Sequence, residues 1–364
     1  MKIAITGGGI VGLTTALVLQ DRGHAVTVYD PHPASGASYH AGGMLAPAAE
    51  VVYQQDELIP LMWEASRRYP DLVALVNRYS DLPTGYRTEG TLVVAHDRAD
   101  TKHLAELREY QNQAGLDVEQ LTLRAARKIE PALAPGLSGA VRIDGDHQVQ
   151  PRLFLPAIID ALQNAGGRLC KERVTDVSDN LINGTSIFDQ ILIAAGLGAT
   201  DITGWYSGEN PLNLRPVYGQ VVQLRVPDHQ YPLLNRVVRG FIEDRPIYLI
   251  PRRDHTLTLG ATTREDNRPE PQAGDILQLL RDASFVCPGI EDCGFLETSV
   301  GARPGSPDDL PYLGRVSDSV VISTGYFRHG ILLSSLAAYC GADLIEKRSP
   351  QVELQSCDPL RHRR

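Results

Sequence analysis

The stretch MKIAITGGGIVGLTTALVLQDRGHAVTVYD, residues 1–30, decides the fold. Residues 2–6 form a short β-rich run, and Gly7, Gly9 and Gly12 follow at the G-x-G-x-x-G spacing. From Ile10 the apolar residues recur at helical intervals through Leu13, Ala16, Leu17 and Leu19, until Gly23 offers a left-handed helix stop. A second strand runs over residues 25–29 and closes on Asp30. In such a unit the first glycine permits a tight turn, the second lets backbone approach a pyrophosphate, and the third lets helix pack close on strand. The phosphates sit on the free N–H groups at the helix start, Ile10 and Val11 included. Asp30 stands where a carboxylate accepts the ribose hydroxyls, which favours FAD or NAD over NADP. The structural alternative is a βαβ turn without a ligand, and the agreement of strand, turn, helix and acid argues against it.

At 364 residues the chain suits two domains. Its net charge of −9 speaks against a nucleic-acid surface, which needs a basic face. The basic residues 361–364 read as a frayed tail. No apolar run reaches the roughly 20 residues needed to span a bilayer, and the first residues enter a strand rather than an apolar leader. Five cysteines without a C-x-x-C suit reduced thiols, and hence a cytoplasmic protein. Ten histidines include no H-x-H or H-E-x-x-H, so no metal site is expected.

Residues 31–47, PHPASGASYHAGGMLAP, are rich in Gly, Ala and Ser where an NAD-type domain would enter a regular βα unit. Small residues let backbone lie against a large flat ligand, so this loop reads as a second wall of the cofactor site, with Ser35 and Ser38 as donors. Helices are expected over residues 56–80 with a break near Pro70, then 99–114, 122–129, 152–165, 275–285 and 331–347. Strands are expected over 86–95, 139–143, 168–177, 188–194, 215–226 and 319–323, with a hairpin over 246–263 turning near Arg253 to His255. Strand 188–194, FDQILIA, is apolar from Ile191 onward, in the manner of a buried parallel strand, and leaves into Ala195 and Gly196. Residues 296–314 read as loop. The fold expected is α/β and α+β: a Rossmann-like, discontinuous FAD-binding domain over 1–79, 149–212 and 300–364, and a substrate domain on a mostly antiparallel sheet over 80–148 and 213–299.

The glycine motif, AGGMLAP at residues 41–47, GARPGSPDDLPYLG at 301–314 and TGYFRHGILL at 324–333 together resemble the FAD-dependent D-amino-acid oxidase superfamily, in particular its bacterial glycine oxidase branch. The resemblance implies noncovalent FAD, a small amino-acid substrate, O2 as electron acceptor and a role in making the thiazole of thiamine. It places the substrate carboxylate on Arg303, assisted by Tyr248, with Arg328 near the flavin. It extends the cofactor contacts to Gly42, Gly43, Met44, Val174, Ala195, Gly196, His329, Gly330, Ile331 and Leu332. Chemistry supports Arg303 separately, because a guanidinium fork matches a carboxylate bidentately. Taken alone, Arg303 reads better as a surface arginine paired with Asp308 or Asp309, and Tyr248 could equally be a half-buried strand aromatic; the motif context favours the ligand role for both.

The chain departs from that branch at His329, where asparagine is usual, at Ser334 and Ser335, which replace Ala-Pro, and at Gly42. The reaction expected is oxidation of glycine by hydride transfer from Cα to flavin N5, giving an imine, then glyoxylate and ammonia, with H2O2 from O2. Sarcosine or D-amino-acid oxidation, a dehydrogenase, an NAD enzyme and a non-catalytic flavin protein are the alternatives. The sequence leaves the oligomeric state open, a homo-oligomer included.

Overall fold

The computed structural model describes residues 1–266 and 268–363; Arg364, the last residue of the basic tail, lies outside them. The opening stretch folds as strand Lys2–Thr6, helix Ile10–Asp21 and strand Ala25–Tyr29. The two strands pair in parallel, and Gln190–Ile193 pairs in parallel on the other side of the first. The complete order is Tyr312–Arg315, Val320–Thr324, Gln190–Ile193, Lys2–Thr6, Ala25–Tyr29 and Arg168–Cys170, parallel apart from its first strand. Pieces far apart in sequence therefore build one sheet.

Both faces of this sheet are covered, which is why its strands read as continuous apolar runs. Ile3, Ile5, Leu192 and Val321 join the core beneath the helices. Ala4, Ile191, Ile193 and Ile322 join a second core on the opposite face, with Val177 and Ile182 of a small three-stranded antiparallel sheet. The helix Ile10–Asp21 is buried from Ile10 to Leu19, because the helices Gly330–Ile345 and Pro151–Asn164 pack against it. A helix that is apolar on all sides belongs in such a position.

The second sheet has eight strands, in the order Gly294–Gly305, Arg215–Arg225, Thr256–Gly260, Arg245–Pro251, Val237–Ile242, Thr91–Ala95, Gly139–Ile143 and Glu119–Leu121. Every pairing is antiparallel except Val237–Ile242 against Thr91–Ala95. The fold is thus mixed α/β, with a parallel sheet at the glycine motif and a largely antiparallel one beside it.

Four sequence expectations are corrected. Residues 296–305 are not loop: Gly294–Gly305 is a strand paired along its length with Arg215–Arg225. Its glycines and proline hid it, and the pairing that supports it comes from a segment some 80 residues away. The helix Leu58–Tyr79 runs through Pro70 without ending. Burial of Met62, Ala65, Tyr69 and Leu72, with packing on Gly330–Ile345 and Pro151–Asn164, offsets the lost hydrogen bond. The strand expected over 168–177 is only Arg168–Cys170, with a separate short strand at Val177–Ser178. Residues 361 and 362 are docked rather than frayed: Arg361 pairs with Asp308 at 2.8 Å and His362 Nδ1 lies 2.7 Å from the Tyr312 hydroxyl.

Candidate functional site

A cavity of about 720 Å³ opens at the carboxyl ends of the parallel strands and runs onto the face of the second sheet. One end is built from backbone. Gly7, Gly8, Gly9, Ile10 and Val11 line it, so the start of the Ile10–Asp21 helix faces the cavity with N–H groups that have no partner within the helix. The turn has no room for side chains: a Cβ on Gly7 would lie 2.3 Å from the Ala194 carbonyl oxygen, and one on Gly12 would lie 2.0 Å from the Gly7 carbonyl oxygen.

Asp30 also lines the cavity, and its carboxylate accepts the Gly8 N–H at 2.6 Å and the His32 N–H at 2.8 Å. The acid thus braces the glycine turn while bordering the space where a ribose would lie. The Ser38 hydroxyl accepts the Ile10 N–H at 3.1 Å, leaving its own proton free to donate. Ser35 instead donates to the His32 carbonyl at 2.6 Å, so that donor is already used.

Two walls of small residues continue from there: Ala41, Gly42, Gly43 and Met44 on one side, Ala194, Ala195 and Gly196 on the other. Arg252, buried behind the first wall, donates to the Val149 carbonyl and the Gln148 side chain, each at 2.8 Å, and to the Gly42 carbonyl. Burial holds its pKa down at about 10. This arginine fixes the course of the loop, a role the sequence did not suggest.

The other end is built from side chains. Arg303 and Tyr248 come from strands separated by two others, and they converge because two glycines keep the sheet face open. A Cβ on Gly219 would meet the Arg303 guanidinium at 2.2 Å, and one on Gly260 would meet the Tyr248 hydroxyl at 2.3 Å. Among the described residues Arg303 makes no ion pair and donates only a long hydrogen bond to the Thr262 carbonyl at 3.3 Å. Asp308 and Asp309, its alternative partners, are taken by Arg361 and Arg215. Burial and the nearby Arg328 charge lower the Arg303 pKa, whereas burial pushes Tyr248 up to about 12 against the pull of Arg303. Tyr248 is therefore a neutral hydroxyl at ordinary pH.

Arg328, Gly330 and Ile331 line the same end, where the helix Gly330–Ile345 begins. Gly12, Val174, His329 and Leu332 do not border the cavity. Gly12 lies beneath the turn, and His329 is buried behind the wall with its Nδ1 3.6 Å from Glu50 Oε2. Ser334 and Ser335 are also buried: Ser334 donates to the Ile331 carbonyl at 2.7 Å and Ser335 to the Ala65 carbonyl at 2.6 Å. The second bond ties this helix to Leu58–Tyr79.

Sequence reasoning missed a cluster of buried charges here. Glu50 lines the cavity and accepts from Arg239 Nη1 at 3.1 Å. Burial pushes the Glu50 pKa up, but neighbouring His329, Arg239 and Arg328 outweigh it and hold the group down at about 2. Asp146, beneath the cavity, accepts the Ala48 and Ala49 N–H groups at 3.2 Å each, and burial lifts its pKa to about 7. The signal available was AAE at residues 48–50, an acid following an apolar run, which does not by itself announce a buried ion pair.

The dimensions and chemistry suit an elongated dinucleotide lying across both sheets. A helix start and a glycine cradle accept phosphate, small walls admit a flat ring, and the far end offers cations to a bound anion. Comparison with known proteins agrees. A glycine oxidase from Geobacillus kaustophilus is 30% identical over 99% of this chain and 97% of its own. A solved structure of glycine oxidase from that organism superimposes with a TM-score of 0.89 at 29% identity, covering 99% of this chain and 98% of that one. A bifunctional ThiO/ThiG protein of Trichormus variabilis is 29% identical over 98% of this chain, which spans about half, 53%, of its length. The family model described as "DAO: FAD dependent oxidoreductase" matches residues 2–344. With nearly the whole chain inside that match and a cavity shaped for the cofactor, the chain belongs to the DAO family of FAD-dependent oxidoreductases.

Proposed function

We propose that this chain is an amino-acid oxidase whose preferred substrate is glycine. The observation that carries the reading is the unpaired Arg303 guanidinium, set beside the neutral Tyr248 hydroxyl in the same cavity as the glycine cradle. A guanidinium that no protein carboxylate satisfies is a receptor for a substrate carboxylate, which it fixes in plane as well as position. Tyr248 adds a hydroxyl donor to the same group.

Bound FAD would supply the two-electron acceptor for oxidation of the amine to an imine, with O2 as final acceptor. The residues proposed to hold it are Gly7, Gly9, Ile10, Val11, Asp30, Ser38, Gly42, Gly43, Met44, Ala195, Gly196, Arg328, Gly330 and Ile331. Gly12, Val174, His329 and Leu332 would support them from behind. Little acid or base chemistry is required of the protein, whose work is orientation. The start of the Gly330–Ile345 helix brings partial positive charge to the cavity, where it would favour negative charge on a bound group. Residues 1–79, 149–212 and 300–364 would form the cofactor domain, and 80–148 and 213–299 the substrate domain.

A role in the thiazole branch of thiamine synthesis, in the cytoplasm, completes the reading. It is supported by the ThiO/ThiG relative. Among the described residues no helix is long and apolar enough to cross a membrane. Anaerobic addition of glycine, sarcosine and D-alanine to the purified yellow protein tests the substrate. Glycine should bleach the flavin at the lowest concentration. Bleaching by D-alanine or sarcosine but not glycine would replace the substrate, and bleaching by none would leave a flavin-binding protein.

A further inference from the structure

An amino acid presents two charged ends, and Arg303 with Tyr248 accounts for only one of them. The cavity is lined by two acids, Asp30 and Glu50. Asp30 lies at the glycine turn and already accepts two backbone N–H groups. Glu50 belongs to the other end, in the electrostatic neighbourhood of Tyr248 and Arg303. Its Oε1 is taken by Arg239 at 3.1 Å, and its Oε2 accepts no hydrogen bond from the described residues. The His329 ring stands at 3.6 Å from that oxygen, outside hydrogen-bonding distance, with its own Nδ1 unpartnered. A buried carboxylate is expensive unless donors meet its lone pairs, so unfilled lone pairs on a carboxylate that lines the cavity, with only the long His329 contact beside the Arg239 bond, mark where a ligand donor belongs.

We propose that Glu50 receives the substrate's amino group, making it the residue that separates amino acids from carboxylates lacking an amine. The inference rests on the amino-acid reading above. Arg239 neutralises the first oxygen and holds the carboxylate on the cavity wall, where lone pairs that no short protein donor fills can take a ligand N–H. Arg303 and Glu50 together then fix both ends of a short amino acid, Glu50 accepting an N–H of the free amine, which sets the position of the carbon between them. An amine bearing at least one N–H satisfies the site, which admits primary and secondary amines. Arg239 and His329 act through Glu50 and are positioning residues.

The test compares glycine with acetate, which differ by the amine. Apparent dissociation constants come from the glycine dependence of anaerobic bleaching and from acetate's perturbation of the flavin absorbance. In Glu50→Gln, glycine binding should weaken by roughly tenfold or more while acetate changes by less than about twofold. Equal weakening of both, or of neither, overturns the assignment. Should Glu50→Gln fail to yield flavin-loaded protein, Glu50→Asp decides: it retains the charge opposite Arg239 but withdraws the carboxylate by one methylene. It should weaken glycine selectively, and an unselective loss overturns the proposal. Wild-type protein that binds glycine without bleaching sinks the oxidase reading instead, and the Glu50 comparison can still be made by absorbance titration of glycine.

Discussion

The two ends of the cavity are made of different material. At the parallel sheet the cavity is lined by backbone N–H donors and by Gly7 and Gly9, with Gly12 packed beneath the turn. Near the antiparallel sheet the lining is long side chains: Arg303 and Tyr248, laid over Gly219 and Gly260, with Arg328 and Glu50 from adjoining loops. The first arrangement recognises a feature common to all dinucleotides and is fixed by local sequence. The second, on the reading proposed above, would recognise one small molecule, and it is assembled from strands and loops some 25 to 280 residues apart. Retention of cofactor and recognition of substrate should therefore be separable.

The severest way to break this contrast is Gly12→Ala. Its Cβ would fall 2.0 Å from the Gly7 carbonyl oxygen, a backbone atom with nowhere to go, and 3.3 Å from Ile5. The helix must move off the strand, at about 3 kcal/mol or more. Thermal unfolding should shift down and the purified variant should have lost its 450 nm-region flavin colour; a yellow protein of wild-type stability would refute the backbone account.

Arg303→Ala strikes the other end. Flavin content should be retained, and kcat/KM for glycine should fall by about 2.5 kcal/mol, roughly 50- to 100-fold, from loss of one charged partner. Affinity for carboxylate inhibitors should fall with it. Unchanged affinity for glycine and acetate would show that the carboxylate is bound elsewhere.

The mildest effect concerns the charges beneath the side-chain end. Asp146 has its pKa raised from the ordinary 3.8 to about 7 by burial. Between those values the folded chain keeps a proton that the unfolded chain has released, so this group's contribution to stability falls as pH rises through that window. Asp146→Asn should flatten that component. Because the Arg239 and Glu50 charges also act on Asp146, we expect roughly 1 kcal/mol between pH 5 and 7. It is measured as the difference in Tm between wild type and variant across pH, and a difference of opposite sign would show that Asp146 is ionised at its ease in the fold.

Legibility in the sequence followed the same divide. Residues 1–30 fold as read, element by element, because a glycine turn, a helix start and a closing acid are contiguous and each is dictated by local sterics. Strand 139–143, the 253–255 turn and the amphipathic helix Arg98–Gln113 were equally local matters. Gly294–Gly305 was misread, since a glycine- and proline-rich strand owes its conformation to its partner. Arg303 was found through a motif resemblance, which named the residue but placed it in a loop.

What the sequence determined by itself is the phosphate-binding unit and the two-sheet architecture, whose signals are periodicity and glycine spacing. What only the tertiary structure decided is the company each charge keeps. Arg303 is free because Asp308 and Asp309 face other arginines, Glu50 is paired to Arg239 across 189 positions, and His329 is walled off from the cavity. The energy of a charge depends on its distance to other charges and to water, and neither distance is written along the chain.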